Sequence, residues 1–154
     1  MIYKSIYSSP LGYLEICSDG GEAITRIYLS SAPSSEFTEN ELTKKAALEL
    51  EEYFEGKRES FDFPTEPDGT AFEKEVFRAC AAIPYAESLS FKELAAKIGD
   101  DKAARKVSLA LDKNPILIAV PTHRVKGKTN FLAGFGTEAA IKEALLGMEK
   151  NFKK

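Results

Sequence analysis

Only two cysteines and a single histidine occur among 154 residues, and that scarcity removes whole classes of chemistry. Cys17 and Cys80 lie far apart without ligand spacing, and one histidine cannot complete a zinc site, so no metal is expected; no cofactor is expected either. Both thiols read as small packed hydrophobes in a reducing, cytoplasmic compartment. No apolar run approaches the ~20 residues of a membrane-spanning helix, which argues against a membrane partner. The opening stretch, Met1 to Ile16, alternates like a strand and lacks the pattern of a signal peptide.

What is present is enough apolar material for a core. The 44% hydrophobic content of the chain suits one domain or two small ones. The net charge of -3 conceals an asymmetry: residues 1–70 hold six Lys/Arg against 14 Asp/Glu, a balance of -8, whereas residues 71–154 hold 15 against 10, a balance of +5. Phosphates would be attracted by the second half and repelled by the first, so any nucleic-acid face belongs to residues 71–154.

In the first half, Ile2 to Tyr7, Tyr13 to Cys17 and Ala23 to Leu29 are β-rich runs separated by Ser-Pro-Leu-Gly and Asp-Gly-Gly turns, which predict an antiparallel meander. Thr38 and Glu41 are spaced as a capping box, and Leu42, Ala46, Leu50 and Phe54 repeat at helical spacing until Gly56. The expected organisation is a sheet-plus-helix subdomain over 1–60, a linker over 61–69 with its prolines and charges, and a second domain over 70–154.

The second half reads as helical. Thr70 with Glu73 and Ser90 with Glu93 form further capping boxes; the first opens a helix with Phe72, Val76, Phe77 and Cys80 inside, the second a short helix ended by Gly99. Asp100 or Asp101 is expected to cap a helix over 102–112, so that the two short helices make a helix-turn-helix candidate. That second helix carries Lys102, Arg105 and Lys106, with small Ala104 and Ser108 on its surface side. A last helix, 137–150, is expected to turn Ala140, Ile141, Ala144, Leu145 and Met148 inward.

Between these helices runs Asn114-Pro115, then the apolar Ile116 to Val120, predicted to be a short buried strand, then Pro121-Thr122-His123-Arg124-Val125. This order resembles the signature of the O6-alkylguanine-DNA alkyltransferases, in which the residue between proline and histidine is cysteine. Here that residue is Thr122. The resemblance implies an α+β protein: an α/β N-terminal subdomain with a small antiparallel sheet, and a mostly helical, winged-helix-like C-terminal subdomain. It also implies double-stranded DNA containing alkylated guanine as the partner, with other repair proteins downstream and a cytoplasmic location, nucleoid-associated if the source is bacterial or archaeal.

The resemblance assigns roles residue by residue. Ala103-Ala104-Arg105-Lys106-Val107 matches the family's Ala-Ala-Arg-x-Val pattern, so Arg105 takes the part of the arginine that fills the gap left by a flipped nucleotide. Phe91 replaces a tyrosine that pushes the target phosphate, and Ser108 and Leu109 stand where small residues bring the helix to the minor groove. Lys102, Lys106 and Arg124 are the further expected DNA contacts. Asn114 corresponds to the asparagine that fixes the loop, and Glu149 to the glutamate that orients the histidine, here His123. Phe135 and Val125 fall in the lesion pocket. Ile83-Pro84-Tyr85 resembles an Ile-Pro-Tyr-Gly segment, with Ala86 in place of the glycine.

A cysteine beside a histidine supplies a thiolate near neutral pH; a threonine alkoxide lies far from it, and an sp3 alkyl carbon offers no oxyanion for an oxyanion hole to stabilise. The main expectation is therefore an alkyltransferase-like protein that binds and flips O6-alkylguanine without alkyl transfer. A methylated-DNA–protein-cysteine methyltransferase-type suicide repair enzyme, or its form with the active-site cysteine replaced, is the alternative. The third reading is a degenerate interaction module that no longer binds DNA.

Overall fold

The computed structural model describes residues 1–126 and 136–153. The chain divides into two compact units, one of Met1–Asp68 with Pro115–Ala119, the other of Gly69–Asn114 with Val120–Lys154.

In the first unit, β1 (Ile2–Ser9), β2 (Gly12–Asp19) and β3 (Arg26–Ser30) pair antiparallel in chain order, the expected meander. Ser5 lies opposite Ile16, Tyr7 opposite Leu14, and Ile16 opposite Ile27, so these side chains share one face. The helix α1 (Glu41–Phe54) covers that face: Ser5 Oγ donates to Thr43 Oγ1 at 2.9 Å, and the Tyr7 and Phe54 rings lie 5.9 Å apart. Leu14, Ile16, Ile27, Ala46, Leu50 and Tyr53 form its buried core. The cap is not the expected Thr38. Asn40 accepts from the Thr43 amide and Thr43 Oγ1 accepts from the Asn40 amide, because the Thr38 carbonyl is already taken by the Lys4 amide at 2.8 Å.

Two stretches depart from expectation in this unit. The segment read as a linker is tied down: Ile24 and Pro64 bond at 2.8 Å, Glu66 donates back to Ile24 at 2.8 Å, and Phe63 is buried. The apolar run after Pro115 is not a strand. Ile116 makes one parallel bridge with Ile27, after which Ile118 adopts φ of +73° and the Ala119 amide turns to the Leu117 carbonyl at 2.9 Å. An extended run would carry its ends apart at about 3.3 Å per residue. Asn114 Nδ2 instead donates to the Val120 carbonyl at 3.0 Å, which closes the excursion into a loop.

The second unit holds α2 (Ala71–Ala81), β4 (Leu89–Ser90), α3 (Phe91–Ile98), α4 (Ala104–Asp112), a 3-10 turn (Thr122–Arg124), β5 (Val125–Lys126) and α5 (Gly136–Lys153). The Thr70/Glu73 and Ser90/Glu93 capping boxes both form, and Gly99 ends α3 at φ of +96°, where a side chain would be strained. Val76, Phe77, Cys80, Leu94, Val107 and Leu145 are buried. α4 begins two residues later than expected. Asp100 takes the Lys102 amide on its side chain and the Ala103 amide on its carbonyl, making a turn that spends those donors before the helix starts, and Ala103 gives no side-chain cap. In α5, Leu145, Leu146 and Glu149 are buried while Ala140 and Ala144 are exposed, so the inner face is rotated from the apolar stripe expected. Glu149 is the cause, since its carboxylate is held inward by His123 and Arg124. Among the described residues no helix is long and apolar enough to cross a membrane.

Candidate functional site

The site is built where the loop closed by Asn114 delivers the chain into the second unit. The Thr122 amide donates to Val120 O at 2.8 Å and the Arg124 amide to Pro121 O at 2.9 Å, winding Thr122, His123 and Arg124 into one tight turn. All three are buried, at 6%, 3% and 6% exposure. The chain then leaves as β5, whose Val125 and Lys126 pair in parallel with Leu89 and Ser90 of β4. Since Ser90 also caps α3, the turn is fastened to the start of the helix-turn-helix.

Burying a histidine and an arginine side by side requires partners, and one residue supplies most of them. Glu149, from the last turns of α5, is fully buried. Its Oε2 accepts from His123 Nε2 at 2.6 Å and from Arg124 Nη2 at 3.0 Å; its Oε1 accepts from Arg124 Nε at 2.9 Å and from the Ala86 amide at 2.9 Å. The two Arg124 bonds form the parallel fork that makes guanidinium–carboxylate pairs strong and directional. Arg124 Nη1 donates onward to Ile83 O at 2.8 Å, and its guanidinium lies 5.6 Å from the Tyr85 ring centre.

Arg124 therefore corrects an expectation. Placed by sequence among the DNA contacts, its charged group is buried and spent on Glu149 and Ile83, because a buried carboxylate at position 149 needs a fixed positive neighbour. Burial holds the His123 imidazole below its usual 6.5, with the facing Glu149 carboxylate pulling the other way. The ring is thus neutral at neutral pH, donating from Nε2, and Nδ1 carries the lone pair that accepts a proton.

The remaining expected site residues fall in two places. Asn114 is half-buried at the mouth of the loop, and Val125 is buried beside the turn. Lys102, Arg105 and Lys106 are exposed around the first turn of α4, Ser108 is half-buried further along it, and Phe91 is half-buried at the start of α3. Phe135 lies outside the described residues. Two contributors had no sequence signal of their own: the Ile83 carbonyl and the Ala86 amide, the latter presented by a residue at φ of +67°. The only hint was their place around Pro84-Tyr85.

Neither cysteine resembles a nucleophile. Cys80 is fully buried and its thiol is pushed up to about 12 by burial; burial also raises Cys17 above its usual value. Among the described residues no cluster of three or more His, Cys, Asp and Glu is placed to hold a metal ion.

Residues 71–151 match the family described as 6-O-methylguanine DNA methyltransferase, DNA binding domain, and residues 2–67 match its ribonuclease-like domain. The chain belongs to the 6-O-methylguanine DNA methyltransferase family. The methylated-DNA–protein-cysteine methyltransferase of Methanosarcina barkeri is 44% identical, over 97% of this chain and 98% of that protein. The solved O6-methylguanine methyltransferase of Mycobacterium tuberculosis superposes with a TM-score of 0.86 at 35% identity, covering 98% of this chain and 94% of that one. The same organism's protein in complex with DNA gives 0.83 at 36%, covering 97% and 94%.

These family relatives overturn the main functional expectation. Proteins alike over nearly the whole chain, at 35% to 44% identity, are named for the transfer itself, so the reading of a protein that only holds the lesion gives way to the repair enzyme that was its alternative.

Proposed function

We propose that this chain is a DNA repair protein of the methylated-DNA–protein-cysteine methyltransferase type, in the form whose acceptor position, residue 122, holds threonine. Its substrate is duplex DNA carrying O6-alkylated guanine. α4 lies in the minor groove, Lys102 and Lys106 neutralise phosphates, and Arg105 fills the gap left when the damaged nucleotide swings out towards Thr122.

One observation carries this reading: beside Thr122, a buried neutral His123 is held by a fully buried carboxylate that also binds Arg124 and the Ala86 amide. A buried, pKa-shifted imidazole held by a buried carboxylate is the kind of arrangement that serves proton transfer, and this supports the reading. Glu149 fixes Nε2 as the donor, so Nδ1 is the basic nitrogen that takes the acceptor's proton as the acceptor bonds to the alkyl carbon; the bond from that carbon to O6 breaks with its electron pair on guanine, which leaves as the anion and regains a proton from the imidazolium or solvent. The arrangement serves sulfur far better than oxygen, because a thiol ionises near neutral pH and a β-branched hydroxyl does not.

The test is intact mass. Incubated with duplex containing O6-methylguanine, Thr122→Cys should gain the mass of one methyl group per chain, orders of magnitude faster than the parent, with the adduct mapped to position 122. A folded Thr122→Cys protein that binds the duplex and stays unmodified would sink the proposal.

A further inference from the structure

Leu109 is 55% exposed on the outer face of α4, one helical turn beyond Arg105. Single exposed leucines are ordinary on protein surfaces, but this one has particular neighbours. Val107, Ala110 and Leu111 turn into the core, and the outward residues of the helix are Arg105, Lys106, half-buried Ser108, Leu109 and Asp112, with Lys102 just before its start. Leu109 is thus the apolar residue in a face that is otherwise charged or small. It lies between a cationic first turn and the Asp112 carboxylate at the far end.

Resting on the reading of α4 as the DNA-facing helix, we infer that Leu109 is a groove-inserted apolar contact: it packs against sugars and base edges of the minor groove beside the site where Arg105 enters. The physical division of labour follows from the side chains. Lys102, Arg105 and Lys106 act through charge, so their share of affinity falls as salt rises and counterions are no longer released at a gain. A leucine in a groove acts by removing apolar surface from water and by wedging, as apolar side chains do in minor-groove binders, and that share does not depend on salt. The occupant is duplex DNA and not another protein, because Lys102, Arg105 and Lys106, exposed on the N-terminal side of Leu109, complement a phosphate backbone, with the Asp112 carboxylate confined to the opposite end of the helix.

The two kinds of contact separate in a salt titration of binding to undamaged duplex, using the whole chain. Leu109→Ala removes the apolar bulk, adds no polar group and favours the helix, so folding is retained, as thermal unfolding would verify. It is expected to weaken binding about tenfold at every salt concentration, leaving the slope of log K against log salt unchanged. Lys102→Ala should instead lower that slope by about 1. If Leu109→Ala binds like the parent, or more tightly because a spacer has been removed, the inference is wrong while the DNA face stands. If Lys102→Ala leaves the slope untouched, the DNA face itself is misplaced and the role of Leu109 falls with it.

Discussion

Ala86 and His123 show how much the site depends on single backbone and ring choices. The Ala86 amide reaches Glu149 only because Ala86 sits at φ of +67°, a region that costs a residue with a Cβ about 1–2 kcal/mol. Ala86→Gly relieves that strain but gives the unfolded chain more freedom, worth roughly 0.5–1 kcal/mol the other way. The net expectation is stabilisation by about 0.5–1 kcal/mol, read as a higher denaturant midpoint with unchanged slope; a lower midpoint would mean that the strain is not real. For His123 the sign follows from burial. The folded ring holds its proton less well than the unfolded one, so its contribution is constant above pH 6.5 and stability falls as pH drops from there towards the folded value, by at most about 1.4 kcal/mol per pH unit. The groups facing it bear on the same window: Glu149 opposes the shift, whereas Arg124 and Lys142 add to it. His123→Gln should flatten the stability profile below pH 6.5, and an identical slope in the variant would assign the acid sensitivity elsewhere.

Among the elements, those whose start is written in adjacent side chains were legible. Thr70 with Glu73 and Ser90 with Glu93 close as read, and Gly99 stops α3, because each box needs only residues three apart. Elements set by distant partners were not. Nothing near Leu89 or Val125 marks a two-residue parallel pair, since each strand exists only through the other. The run from Ile116 to Val120 has strand composition, yet Asn114 holds its two ends together and forces the turn at Ile118. The inner face of α5 misled for a similar reason: counting apolar residues left out Glu149, whose four accepted bonds make a buried acid part of the core. The Pro-Thr-His-Arg motif singled out these residues but gave no sign of the tight turn they form or that Arg124 would face inward.

At the scale of the molecule, sequence order and physical unit are not the same thing. The stretch Pro115–Ala119 follows α4 and precedes the Thr122 turn, both in the second unit, yet it belongs to the first unit. There the Ile27 amide donates to Pro115 O at 2.9 Å and the Leu117 amide donates to Ile27 O at 3.0 Å, extending the sheet by one bridge beyond β3. Ile116 is fully buried, so Ile116→Ala should destabilise by about 2–5 kcal/mol through lost burial and the cavity left behind. The informative part is where the loss appears. If the segment serves the sheet, hydrogen exchange of β3 amides, Ile27 foremost, should quicken more than that of α2 to α4. Faster exchange confined to those helices would mean that the segment stabilises the unit its sequence neighbours suggest.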